Sequence, residues 1–108
     1  MNKLVYHFLK DYLKWCKKGC RPNKHFRIDA GLCHNFTTWS MARTKGKNIP
    51  ELGQKVGDAY YSLIMMFVAD GLDRDYPFNR HYRHYEDECR WHRVQKNKQR
   101  MAWVRSKV

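Results

Sequence analysis

Leu4-Val5-Tyr6-His7-Phe8-Leu9-Lys10-Asp11-Tyr12-Leu13-Lys14-Trp15-Cys16 is the stretch that decides the fold. Leu4, Val5, Phe8, Leu9, Tyr12, Leu13 and Cys16 recur on two adjacent four-residue rows, while Lys3, His7, Lys10, Lys14 and Lys17 fall on the other side. That period near 3.6 predicts an amphipathic helix that buries a Leu9 and Leu13 face against a partner. Asn2 is suited to cap its first turn and Gly19 to stop it, with Lys17 and Lys18 in the last turn, where the helix dipole is negative.

Working outward, Cys20 to Arg27 carries Pro22, Asn23 and basic side chains without periodicity and reads as a loop. A second helix is expected from a cap at Asp29, with Leu32, Phe36, Trp39 and Met41 on one apolar face, ending in the polar stretch Arg43 to Asn48. Pro50 suits the first turn of a third helix, in which Leu52, Val56, Tyr60, Leu63, Ile64, Phe67 and Val68 keep the period. Gly53 and Gly57 are expected to divide or kink it. The run Leu63 to Val68 would also suit a buried strand, but nothing else in the chain alternates as a partner strand would. Asp70-Gly71 ends this element, and Asp73 to Asn79 reads as a structured turn capped by Asn79. Tyr82, Tyr85 and Cys89 then share a helical face up to about Arg93. A last short helix is expected from near Asn97, with Met101 and Val104 inward and Trp103 at its border. The expectation is an all-α fold over residues 1–108, one basic domain built as a compact bundle of about five helices.

The chain has 108 residues, 22 Lys plus Arg against 10 Asp plus Glu, and a formal charge of +12. Its 43% hydrophobic and 15% aromatic content suffices for one core at this length and argues against wholesale disorder. The longest apolar run, Leu63 to Ala69, is far below the ~20 residues that span a bilayer, and no signal-peptide core is present, so a soluble cytosolic protein without membrane partners is expected.

Four short blocks resemble parts of a family of small proteins encoded by tailed bacteriophages and prophages. They are Phe8-Leu9-Lys10-Asp11-Tyr12-Leu13, Gly31-Leu32-Cys33-His34-Asn35, Tyr76-Pro77-Phe78-Asn79 and Arg100-Met101-Ala102-Trp103-Val104-Arg105. The resemblance implies a phage origin, action in the host cytoplasm and a place among accessory proteins that disable host components, including counter-defence inhibitors. It supplies no catalytic residues.

The cysteines Cys16, Cys20, Cys33 and Cys89 permit a zinc reading, with His34 and His92 as further ligands. No Cys-x2-Cys pair exists, and Cys33 and His34 would diverge on a helix, so reduced thiols are the expected state, ahead of zinc and then of a disulfide. His81, His84, Glu88 and His92 form one helical stripe, read as a solvated face because a second carboxylate is missing. A phosphate-binding glycine loop, a nucleophile elbow and a nuclease carboxylate cluster are all lacking from the sequence, and neither enzyme activity nor a cofactor is expected.

Charge is the stronger signal. Met1 to Arg27 holds eight Lys or Arg against one Asp, and Arg90 to Val108 holds seven against none. Trp15, His25, Phe26, Trp91 and Trp103 are interleaved with these charges, a combination suited to phosphates and stacked bases. The expected partner is therefore a nucleotide or nucleic acid. A pocket form would use Asn35 with the Tyr76 and Phe78 turn. A polymer would instead spread over Lys10, Lys14, Lys17, Arg93, Arg100 and Arg105, beside Trp103. The alternative is a protein inhibitor that docks on an acidic surface of a host protein, steered by the same cations.

Overall fold

In the computed structural model, residues 1–21, 23–27, 31–44, 50–70 and 98–108 are described. Helix α1 runs Lys3–Lys17. Asn2 caps it: its Oδ1 accepts from the N–H groups of Leu4 at 2.9 Å and Val5 at 3.3 Å, two donors that would otherwise lack an intrahelical acceptor. At the other end the Gly19 N–H donates to the Cys16 carbonyl and the Cys20 N–H to that of Trp15. This paired closure requires a left-handed residue after the cap, which Gly19 supplies at φ +93°.

The side of α1 that faces inward carries Val5, Phe8, Leu9, Tyr12, Trp15 and Cys16; Leu4 and Leu13 are only half-buried. Leu9 thus meets the expectation and Leu13 sits at the edge of the core. Phe8 is the hub. Its ring centroid lies 5.3 Å from Phe36, 5.5 Å from Trp39, 6.0 Å from Tyr12 and 6.1 Å from Phe26, within the range in which aromatic pairs add to plain burial.

Helix α2, Leu32–Thr44, contributes Leu32, Cys33, Phe36 and Trp39 to the same core. Met41, expected on that face, is instead 65% exposed. Two residues beyond Trp39 is a rotation of about 200°, which turns Met41 to the opposite side. The expected cap Asp29 lies outside the described residues.

Helix α3, Pro50–Ala69, runs unbroken through Gly53 and Gly57, which were expected to kink it. Both glycines are exposed, so they weaken helix propensity without interrupting a packed face. Leu63 and Phe67 are buried, and Leu52, Val56, Tyr60 and Ile64 are partly so. Val68 departs from the expectation at 62% exposed. Each four-residue step along Tyr60, Ile64 and Val68 advances about 40° beyond a full turn, and after the second step that row has left the core.

A fourth helix, α4, covers residues 98–107. Trp103 is not at its border but inside, with its ring 4.8 Å from Phe67 and its Nε1–H donating to Asp70 at 2.6 Å. Val104 is fully buried and Met101 packs against the core. The described residues are therefore all-helical and share one core, with four helices where about five are expected. The expected turn at 73–79 and helix up to Arg93 lie outside the described residues.

Asp70 joins α3 to α4, because Lys107 Nζ also reaches its Oδ2 at 2.8 Å. The hydrogen bonds from Lys107 and then Trp103 hold its carboxyl below the usual carboxylate range. A depressed carboxyl stabilises the fold above its unfolded-state pKa and loses that contribution as pH falls through the folded one. Asp70→Asn should therefore melt below the wild type at neutral pH, with the gap narrowing in acid below about pH 4. Melting curves showing the same gap at every pH would contradict this role.

Candidate functional site

The outer face of α1 presents Lys10, Lys14 and Lys17 to solvent, with Lys18 one position on. Lys10 Nζ lies 5.3 Å from the Tyr6 ring centroid. The loop after α1 adds exposed Arg21, Lys24 and Arg27, and it is held by its own polar groups. Asn23 Oδ1 accepts from the His25 and Phe26 N–H groups at 2.7 and 2.9 Å, a local turn that asparagine favours. Trp15 Nε1–H donates to the Arg21 carbonyl at 2.7 Å. Phe26 then stacks on Trp15 at 5.4 Å and meets Tyr12 edge-on at 5.8 Å, which carries the loop into the core.

Between α1, this loop and α2 lies an open groove of about 350 Å³ lined by Asp11, Lys14, Trp15, Lys18, Asn23, His25, Phe26, Trp39 and Arg43. Its lining combines the aromatic side chains of Trp15, Phe26 and Trp39 with the three cations of Lys14, Lys18 and Arg43. The single carboxylate is already engaged: Asp11 Oδ2 accepts from Trp39 Nε1–H at 2.9 Å and lies 3.9 Å from Arg43 Nη1. Arg43 also lies over the Trp39 ring at 4.7 Å. Among the described residues no other acid lines the groove, so its field favours an anion. His25 also lines it; its Nδ1 is buried and has no hydrogen-bond partner among the described residues.

Of the residues expected to bind, Lys10, Lys14, Lys17 and Arg105 are exposed, and Lys14 lines the groove. Three others are corrected. Asn35 is 1% exposed and its amide is spent on the backbone of Arg27, accepting from the N–H at 2.8 Å and donating to the carbonyl at 3.0 Å. It holds the loop to α2 and does not face a ligand. Arg100 is 8% exposed, buried near Tyr12, whose hydroxyl pKa is raised by burial and by Cys16 and drawn back by that arginine. Trp103 is enclosed by Phe67 and Asp70. Trp15 and Phe26 likewise belong to the core, although both line the groove. Tyr76, Phe78, Arg93 and Trp91 lie outside the described residues.

Lys18, Arg43, Asp11 and Trp39 were missed as groove residues. The four carry a signal as two pairs: Asp11 and Lys18 are seven apart, on one side of α1, and Arg43 follows Trp39 by four, the spacing that sets a cation over a ring. What brings α1 and α2 together across the groove is tertiary packing, which spacing does not encode.

Cys16, Cys20 and Cys33 are free thiols. Burial, aided by the neighbouring Cys20, pushes the Cys16 thiol up to about 12, so it stays protonated and is a poor nucleophile or ligand. Cys33 is buried while His34 is exposed, so the two diverge. Among the described residues no three His, Cys, Asp or Glu side chains converge as a metal site would need. Cys89, His81, His84, Glu88 and His92 lie outside them. No helix of the described residues is long and apolar enough to cross a membrane.

The described residues are thus all-helical and carry a basic groove lined by aromatic side chains. Compared with known proteins, the chain matches no family model, no curated protein and no solved structure.

Proposed function

We propose that this is a non-enzymatic binding protein whose partner bears phosphate, a nucleotide or a nucleic acid, received on the α1 lysine face and the adjoining groove. The observation that carries it is the groove itself: Lys14, Lys18 and Arg43 line it together with aromatic side chains, and the only acid there among the described residues is already paired. Cations draw the phosphate, and the aromatic side chains that line the groove supply apolar surface beside it for the rest of a nucleotide. The phage-like blocks support an accessory protein acting in the host cytoplasm, in counter-defence.

The test is a salt titration of binding to a short labelled single strand and, in parallel, to mononucleotides. Engagement of Lys10, Lys14, Lys17 and Lys18 by a strand gives a log–log slope of roughly −2 to −3. A slope near zero, or no binding by any nucleotide or strand, rejects the proposal.

One observation favours a second reading, an inhibitor of a host protein. Tyr61, Met65 and Val68 lie on one side of α3 and are exposed, so the cations would steer an acidic partner and this row would anchor it. Capture of a host protein that survives nuclease treatment and is lost in Tyr61→Ser would favour that reading.

A further inference from the structure

Independently of the phosphate-binding reading, we infer that Cys16 and Cys20 form an oxidisable dithiol, a site of covalent modification at which a peroxide joins the two sulfurs in a disulfide. Placement is the first ground. The chain leaves α1 through two consecutive left-handed residues, Gly19 at φ +93° and Cys20 at φ +55°. Glycine takes that region at little cost, whereas cysteine seldom does. The fold back brings the Cys20 N–H to the Trp15 carbonyl at 3.2 Å and the Cys20 Sγ to 3.9 Å from the Cys16 carbonyl oxygen. Cys20 is thereby held over the turn that carries Cys16, at the four-residue spacing where side chains meet. Strain of this kind, at a position that glycine would fill freely, points to a use for the sulfur.

The two thiols differ in access and in acidity. Cys20 is half-buried, open to a small oxidant, while Cys16 is 7% exposed and Cys33 fully buried. Burial first, and then Cys20 beside it through its charge and a side-chain hydrogen bond, hold the proton on Cys16, while Arg105 draws the other way. Cys20 is therefore the sulfur that meets the oxidant, and Cys16 the one that resolves it.

With hydrogen peroxide as oxidant the chemistry closes in two steps. The Cys20 sulfur attacks one peroxide oxygen: the S–O bond forms, the O–O bond breaks, and the departing hydroxide takes the thiol proton as water, leaving a sulfenic acid. The Cys16 sulfur then displaces the hydroxyl from Cys20, and that hydroxide leaves with the Cys16 proton as a second water. Two thiols have given up two electrons and two protons, and one peroxide has become two waters. A thiol as firmly protonated as Cys16 is slow toward dissolved reagents, but here its target sulfur is held beside it and the second step is intramolecular.

The test exposes the reduced full chain to hydrogen peroxide, alkylates the remaining thiols, and maps tryptic peptides by mass. Trypsin parts Cys16, on the peptide from Trp15 to Lys17, from Cys20, on the peptide from Gly19 to Lys24, because the Arg21-Pro22 bond resists cleavage. The expected product is these two peptides joined, lighter than their sum by two hydrogens and returned to two alkylatable thiols by a dithiol reductant. Cys20→Ser should slow the loss of the Cys16 thiol by about tenfold or more, since a buried, protonated sulfur is left without its partner. Cys16→Ser should carry Cys20 on to the sulfinic acid, which the reductant does not reverse. Should Cys16→Ser fail to fold, the wild-type peptide map decides. A wild type in which Cys20 reaches the sulfinic acid while Cys16 stays alkylatable overturns the inference. So does a disulfide from Cys20 to Cys33 or Cys89 in place of Cys16, or a pair of thiols unchanged at a peroxide dose that oxidises free cysteine.

Discussion

Phe8→Ala should cost about 3–5 kcal/mol of folding free energy, a large part of the ~5–15 kcal/mol that holds a small domain together. Phe8 is fully buried and its ring meets four others contributed by α1, the loop and α2. Deleting it removes the transfer energy of the ring and leaves a void bounded by rings that are themselves pinned: Trp39 through Asp11, Phe26 through the Asn23 turn. Those walls cannot close in, which places the cost at the upper end of the range. Urea denaturation of Phe8→Ala beside Leu13→Ala checks this, because half-buried Leu13 should cost clearly less. A loss below about 1 kcal/mol for Phe8 would mean that the rings are not the centre of the fold.

The second large effect is on binding. Lys14→Glu with Lys18→Glu should weaken association with a single-stranded oligonucleotide on the order of 100-fold at low salt and flatten the salt slope by roughly 1–2. Both side chains are exposed and form no ion pair among the described residues, so stability should change little, with a few tenths of a kcal/mol from placing negative charge at the C-terminal end of α1. Arg100→Glu is the contrast: that side chain is buried, so reversal should unfold the protein, and lost binding there would say nothing about a contact. If the double lysine variant binds nucleotides, RNA and DNA as the wild type does, the positive charge serves solubility alone.

Much of the helical layout was legible, for reasons visible in single residues. Asn2, Gly19 and Pro50 act through local backbone chemistry, and each marks a helix end as its residue type requires. The inward side of α1 followed from spacing alone. Met41 and Val68 follow the step of about 100° per residue out of the core once that rotation is counted strictly, whereas Trp103 does not, because periodicity gives a direction around a helix axis and not the width of the neighbour that covers it. The site was half legible. Lysines on a solvent face announce themselves, so Lys10, Lys14 and Lys17 were readable, whereas an asparagine or arginine near a basic run looks the same whether it faces a ligand or the core. Asn35 is buried against the backbone of Arg27 in the preceding loop, and Arg100 near Tyr12, far away along the chain. The groove needs α1, the loop and α2 at once, and no local pattern specifies that assembly.

Asp11 is the lone acid among the first 27 residues, and it holds Trp39 and Arg43 against α1. Evolution of a stronger phosphate binder could add positive charge almost anywhere on that exterior at little expense, but not there. A lysine at position 11 would enhance attraction while releasing a buried indole donor and turning Arg43 from a tie into a repelled neighbour. The cationic surface is thus bounded by the scaffold beneath it, and variants selected for tighter nucleotide capture should accumulate lysine and arginine around this carboxylate while leaving it in place.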